Sequence, residues 1–281
     1  MILKDFLPAP DVQSYVQLFR IVHLEFSKED AIPIKAYPPR PEQCLAFYPY
    51  DRETVAFVGS NKVVHQLPVV LYGQFTQVTN RMIGHQFLVF QIVFYPGALY
   101  KLTGIPSSEL VNEYLDGSIF FGNQVHEVNE QLYEAKNYDA MIAIGNMFIR
   151  TLIAKSIQPI LPIDWACTQL LNRTSQLSID EIARQACYSS RQLERKFKER
   201  TGVNPKLFMR IIRFDNDFRQ KNSHPSMDWL RIAMECDYHD YQHLAKDYKD
   251  FTQLTPNQFH LIEEKAPERK FGLNEGFYKV K

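Results

Sequence analysis

The hydrophobic pattern changes period once along the chain. Up to about residue 122, apolar residues come in runs of strand length. Cys44-Leu45-Ala46-Phe47-Tyr48 and Phe87-Leu88-Val89-Phe90-Gln91-Ile92-Val93-Phe94 are rich in β-branched and aromatic side chains. Pro33, Pro38, Pro39, Pro41, Pro49, Pro68 and Pro96 punctuate this half, which predicts a small β-barrel or sandwich. Two short helices are expected to interrupt it, one near Asp11–Leu18 and one from Pro106 through Leu115. From about Asn123 the spacing turns helical, with Val125, Val128, Leu132 and Ala135, then Met141, Ile142, Ile144, Phe148, Ile149, Leu152 and Ile153. The second of these helices is apolar around much of its circumference, so either its own domain or a second subunit must cover it. Ser156 to Pro162 reads as a linker because two prolines stop helix continuation. The residues from Asp164 to about Glu263 are helical in pattern.

Within that helical half, Ser178 with Glu181 and Ser189 with Gln192 carry the capping-box spacing. The first caps a two-turn helix with Ile179, Ile182, Ala183 and Ala186 inward. The second caps a helix that buries Leu193 and Phe197 and ends at Thr201-Gly202. A short helix, a tight turn and a second helix make a helix-turn-helix. The second helix displays Arg191, Arg195, Lys196, Lys198 and Arg200. Such a helix can enter a major groove and bond guanine edges, or it can be a solvated surface helix whose bases pair with Glu194 and Glu199.

The pattern recurs about 51 residues on. Ser226 is the expected cap of a helix over Met227–Glu235, followed by a turn at Cys236-Asp237-Tyr238 and a helix capped by Asp240 that buries Leu244 and Tyr248. Thr201-Gly202-Val203-Asn204-Pro205 is echoed by Thr252-Gln253-Leu254-Thr255-Pro256. Between the units, Asn204 and Pro205 open a helix to about Lys221, long enough to hold two reading helices about one duplex turn apart. Its Lys206, Arg210, Arg213, Arg219 and Lys221 can contact phosphates or stay solvated.

The residues Ile179-Asp180-Glu181-Ile182-Ala183, Tyr188-Ser189 with Leu193, Arg195, Phe197 and Lys198, Thr201-Gly202-Val203 with Pro205, and Leu254-Thr255-Pro256 with Phe259 together resemble the DNA-binding domain of the AraC/XylS regulators. The resemblance covers 164–263. It implies an all-helical domain with both second helices in successive major grooves. Carried over by position, Arg191, Glu194 and Arg195 of the first unit, and Tyr241, Gln242, Ala245 and Lys246 of the second, would face bases. Gln192 and Lys196 would lie beside the backbone. The family's usual turn glycine is replaced by Cys187 and by Asp237, and the basic residue usual after the last Phe is His260. More faintly, Val93-Phe94-Tyr95-Pro96-Gly97-Ala98-Leu99 with Leu102, Gly104-Ile105-Pro106 and Glu109-Leu110 resembles sensor-like N-terminal domains of such regulators. That implies a cupin-like β-rich domain.

The fold class expected is therefore α+β. An N-terminal sensor or dimerisation domain spans 1–157, an all-α domain of two helix-turn-helix units spans 164–263, and a tail spans 264–281. The expected activity is sequence-specific binding of double-stranded DNA in transcription regulation. A homodimer is expected, with a small-molecule effector and RNA polymerase as further partners. A protein-interaction module with degenerate DNA binding is the alternative.

Composition changes this picture little. Lysine plus arginine equals aspartate plus glutamate, 32 each, so global charge lends DNA binding no support. The distribution is lopsided: 178–221 holds 11 basic and 6 acidic residues, whereas 222–263 holds 3 basic and 7 acidic ones. Acidic groups near phosphates repel, so the first unit is expected to supply most of the affinity. No GxSxG, Gly-rich phosphate loop or HExxH is present, so no enzyme, cofactor or metal is expected. His23, His65, His85 and His126 are scattered, and Cys44, Cys167, Cys187 and Cys236 read as reduced thiols. No apolar run is long enough for a membrane span, which points to the cytoplasm. Phe47, Tyr48, Tyr72, Phe75 and Phe94 are candidate walls of an effector pocket, or simply core. The aromatic tail can dock, add phosphate contacts or remain disordered.

Overall fold

The computed structural model describes residues 1–156, 158–172 and 178–276. The N-terminal half builds two antiparallel sheets. The larger runs β1 (Ile2–Phe6), β2 (Val16–Glu25), β9 (Gln86–Phe94), β4 (Gln43–Phe47), β7 (Val69–Tyr72), β10 (Tyr114–Asp116) in spatial order. The smaller runs β3 (Lys35–Tyr37), β8 (Thr79–Met82), β5 (Thr54–Phe57), β6 (Val63–His65). The central strands β4, β7 and β9 of the larger sheet are buried on both faces, so they read as nearly continuous apolar runs. Side chains still alternate between faces. Leu45 and Phe47 of β4, with Leu88, Phe90, Ile92 and Phe94 of β9, pack against helices. Cys44, Ala46 and Tyr48, with Phe87, Val89 and Val93, face the smaller sheet.

The helical cover consists of α1 (Ala98–Thr103), α2 (Ser118–Phe121), α3 (Gln124–Glu134) and α4 (Tyr138–Lys155). The apolar α4 is covered largely by its own domain: Met141, Phe148, Ile149 and Leu152 join the larger sheet's core, while Met147 remains exposed. Gly145 is required there, since a Cβ would lie 2.7 Å from the Phe90 ring. The two helices expected early in the chain do not form. Asp11 lies in a single 3-10 turn, Pro10–Val12, and the chain then enters β2. The Pro106 segment makes only a 3-10 turn, Ser107–Leu110, before β10. The apolar residues of both segments serve strands, whose tertiary pairing outweighs a weak local helical signal. The real helix is α1, bounded by Gly97 and Gly104, both left-handed.

The second half is helical: α5 (Pro162–Asn172), α6 (Ile179–Gln185), α7 (Ser190–Thr201), α8 (Pro205–Ser223), α9 (Trp229–Glu235), α10 (Tyr241–Thr252) and α11 (Pro256–Glu263). Two aromatic-rich cores hold it. Leu193, Phe197, Phe208 and Ile212 join α5–α8. Phe214, Phe218, Leu244, Tyr248 and Phe251 join α8–α11, together with Ala36 of β3 and Val78 just before β8. No helix among the described residues is long and apolar enough to cross a membrane.

Candidate nucleic-acid interface

The two helix-turn-helix units are built from matching local devices. Ser178 and Ser189 each form a complete capping box, with Glu181 and Gln192. In the second unit the cap of α9 is Asp228, not Ser226. Its carboxylate accepts from the Leu230 and Arg231 amides, and a carboxylate also suits the positive end of the helix. Asp240 caps α10 by accepting from the His243 amide. At the turns, Cys187 (φ 57°) and Asp237 (φ 60°) are both left-handed, as are Gly202 (φ 91°) and Gln253 (φ 65°) at the ends of α7 and α10. The left-handed region costs an L-residue about 1–2 kcal/mol. Because Cys187 is exposed, Cys187→Gly is expected to raise the unfolding free energy by roughly 0.5–1 kcal/mol after glycine's entropy is deducted. Urea denaturation of the full chain checks this.

The helix α8 joining the units has 19 residues, about 28 Å at the α-helical rise. Four of its five cations are committed within the protein. Arg210 binds Asp247 (2.7 Å) and Asp250 (2.5 Å), Arg213 lies 3.5 Å from Asp247, and Arg219 binds Asp215 (2.8 Å). Lys221 donates to the Pro225 and Met227 carbonyls. Lys206 alone of the five is exposed. The acidic excess of the second unit is thereby reduced by cations from outside it: Asp247 and Asp250 pair with Arg210, and Glu263 with Lys35.

Asp217 of α8 is buried, accepts from the Tyr248 hydroxyl at 2.8 Å, and leaves its other oxygen without a partner. Burial pushes its carboxyl well above the usual carboxylate range, against the hydrogen bond from Tyr248. A carboxyl raised on folding takes up a proton, so its stability contribution is full below the unfolded value and falls as pH rises above it. Asp217→Asn removes this proton linkage. The variant's stability relative to the parent is therefore expected to rise from pH 4 to pH 8, by up to about 1.4 kcal/mol per pH unit. Parallel pH lines in denaturant titrations would contradict this.

The proposed base-facing residues lie on open surface. Arg191, Gln192, Glu194 and Arg195 of α7 are exposed, and Lys196 is half-buried over the Tyr188 ring at 5.6 Å. On α10, Gln242 and Lys246 are exposed, with Tyr241 and Ala245 partly covered. Arg191, Arg195 and Lys246 form no ion pair with another described residue. Arg200, read from the sequence as part of the displayed face, is buried. It pairs with Asp164 (3.3 Å), stacks on Tyr100 (3.7 Å), and its carbonyl accepts from Ser107 (2.8 Å).

Both reading helices are thus anchored to the N-terminal domain at their C-terminal ends. For α7 the anchors are Arg200 and Gly202, where a Cβ would lie 2.8 Å from the Ser107 carbonyl oxygen. For α10 the Phe251 carbonyl accepts from the Val78 amide at 2.9 Å. The N-terminal portions, which enter a groove in this motif, stay open.

The five aromatics read as pocket walls do not share a pocket. Phe47 and Phe94 fill the helix-side core, whereas Tyr48, Tyr72 and Phe75 fill the core between the sheets. Adjacent residues of one strand, such as Phe47 and Tyr48, point to opposite faces. A cavity of about 60 Å³ does lie between the sheets, lined by other residues, among them Leu24, Lys35, Arg81, Phe87 and Val89. Tyr48 and Tyr72 stand just behind it: Tyr48 donates to Glu53, and the Tyr72 hydroxyl accepts from Gln91 at 3.3 Å. The signal missed in the sequence was the basic set Arg20, Lys35 and Arg81, one each on β2, β3 and β8. The His residues form no ligand group. Among the described residues, only Glu263, Glu268 and Glu275 cluster closely enough to share an ion, and the Lys35 ammonium occupies that position, 2.7 Å from Glu263 and 2.6 Å from Glu268.

Two units of matched helices, two left-handed turns and two outward-facing helix surfaces define a double helix-turn-helix domain. Residues 182–261 match the family described as a helix-turn-helix domain, and residues 4–116 match a family described as a domain of unknown function (DUF6597). The HTH-type transcriptional regulator ArgR of Pseudomonas aeruginosa is 32% identical over 87 residues, 31% of this chain and 26% of that protein. The chain thus spans about a quarter of the length of that curated relative. ToxT from Vibrio cholerae O395 aligns over 89% of this chain and 98% of its own, at 10% identity and TM-score 0.46. A structure of wild-type ToxT from Vibrio cholerae strain SCE256, solved with an unsaturated fatty acid bound, aligns over 87% and 95%, at 12% identity and TM-score 0.47. The helical half is thus similar to helix-turn-helix domains, among them one in a curated HTH-type transcriptional regulator.

Proposed function

We propose that the chain is a sequence-specific transcription regulator of the AraC/XylS type, acting in the cytoplasm on double-stranded DNA. Arg191, Glu194 and Arg195 read one major groove, and Tyr241, Gln242 and Lys246 the next, with Gln192 and Lys196 beside the phosphates. The observation that carries this reading is the division of each reading helix. Its C-terminal end is docked on the N-terminal domain, and its groove-entering half exposes side chains, Arg191 and Arg195 on α7 and Gln242 and Lys246 on α10. Both units are therefore held in one orientation relative to a domain able to respond to a ligand. A homodimer and contact with RNA polymerase complete the reading.

The test is a titration of the full chain against a duplex selected from a random pool, at two salt concentrations. Counterion release predicts a steep fall in affinity with salt and a preference for the selected duplex over random sequence. Salt-insensitive binding, or equal binding to both duplexes, would overturn the proposal.

A further inference from the structure

The two reading helices have equal length and can be set side by side, Leu193 with Leu244 and Phe197 with Tyr248. They differ in charge. On α7, Arg191, Arg195 and Lys198 are exposed. On α10 the exposed cation is Lys246, while Lys249 donates to the Gln253 carbonyl. Lys196 of α7 corresponds to Asp247 of α10, which is buried and paired with Arg210 and Arg213. Gln192 corresponds to His243, which is exposed. The turn ahead of α10 is also one residue longer. Left-handed Cys187 lies two positions before the Ser189 cap, whereas left-handed Asp237 lies three before the Asp240 cap. The extra residue is His239, which is exposed.

Gln242, His243 and Lys246 are spaced so that they share one strip of the helix surface, and His239 extends that strip just ahead of the cap. The second unit thus carries two imidazoles where its partner unit has none. Asp240 lies beside both. Its carboxylate is 3.3 Å from His239 Nδ1 and accepts from the His243 amide at 2.8 Å, and these contacts hold the carboxyl below its usual range. The Tyr238 ring meets the His243 ring edge to face, centroids 6.1 Å apart. The remaining charged neighbours are Asp237 in the turn, Lys246 and Asp247 one helical turn on, and, on α9 packed against α10, Arg231 and Glu235, which pair with each other at 2.8 Å.

We propose that His239 and His243, in their protonated form, are phosphate-contacting residues of the second unit, so that DNA reading by α10 is switched by pH while reading by α7 is not. This deepens the regulator reading above and rests on it. A histidine side chain changes charge within the pH range 5 to 8. A phosphate beside an imidazolium favours the charged form. Bound DNA therefore raises the proton affinity of both rings, and binding takes up protons. The gain in affinity is full at pH below the titration of the free chain and is lost as pH rises through that of the complex. Ser189 and Gln192, which open α7, cannot titrate in this way. The shortage of cations on α10 is made good only at the acidic end of the range.

The test uses the full chain and the selected duplex, titrated at about pH 6 and about pH 8, each at two salt concentrations. Affinity is expected to fall by about tenfold between the two pH values, the worth of one unit of imidazolium stabilisation. The salt slope is expected to be steeper at the lower pH by about 1 for each imidazolium that meets a phosphate. In footprints, the segment under α10 fades at the higher pH and the segment under α7 stays. His239→Gln with His243→Gln is expected to bind about tenfold more weakly than the parent at the lower pH and to lose the pH dependence. His239→Lys with His243→Lys, which fixes the charge, is expected to bind about tenfold more tightly than the parent at the higher pH. Equal parental binding at both pH values, or a glutamine variant that keeps the pH dependence, would overturn the proposal and leave the regulator reading standing. Failure to bind the duplex at either pH in low salt would overturn that reading, and this inference with it.

Discussion

Arg195→Ala is expected to weaken binding to the selected duplex by about 5- to 150-fold, the loss of one bidentate base contact. It should also relax sequence preference at one or two positions. The side chain is exposed and unpaired among the described residues, so its removal leaves nothing buried unsatisfied and stability should hold within about 0.5 kcal/mol. Lys246→Ala on α10 should cost less. Lys246 is the one cation on α10 not used within the protein, because Lys249 donates to the Gln253 carbonyl at 2.8 Å. On α7, Arg191, Arg195 and Lys198 are all exposed. The pairing of Asp247 and Asp250 with Arg210 weakens the argument from acidic repulsion. The difference in available cations remains. Equal losses for the two variants would contradict a dominant first unit.

The largest expected effect on stability is at Lys35. Its ammonium is the shared partner of Glu263 and Glu268, with Glu275 3.8 Å away. Burial opposes the charge, but the three carboxylates more than offset this and hold the lysine protonated. Lys35→Met leaves buried carboxylates facing one another and is expected to cost about 3–5 kcal/mol. Burial already pushes the Glu263 carboxyl up to about 7 against the pull of Lys35; without the ammonium it is held higher still, so the variant's deficit relative to the parent should grow as pH rises above about 7. Adding Glu263→Gln should restore part of the loss. Denaturant titrations at several pH values check both statements; a loss below about 1 kcal/mol, typical of an exposed pair, would contradict the account.

The helical half was legible because its signals are local. Capping boxes at Ser178 and Ser189, Pro205 and Pro256 at first helical positions, and the recurrence of Thr201-Gly202 as Thr252-Gln253 all report within a few residues. Two readings there slipped: Ser226 for Asp228 moved a cap by half a turn, and Arg200, placed on the displayed face, is buried against Asp164 and Tyr100. In the β-rich half, the existence of strands was legible, and so was alternation within them, yet grouping Phe47 with Tyr48 ignored it. The contacts that tie the domains together were not legible. Lys35 and Glu268 are separated by 233 positions, and nothing near Lys35 marks it as buried. The cations of α8 looked free for the same reason, since Asp247 reaches Arg210 only once α10 folds back on α8.

The central claim is that two open reading surfaces, anchored from behind by the N-terminal domain, engage successive turns of one duplex face. Hydroxyl-radical footprinting of the full chain on the selected duplex tests it most directly. Two protected backbone segments on one face, centred about 10–10.5 base pairs apart, are the result expected for each bound copy, with the segment under α10 lost or weakened by Lys246→Ala. A single protected segment unaffected by that change, or uniform protection along the duplex, would contradict the claim.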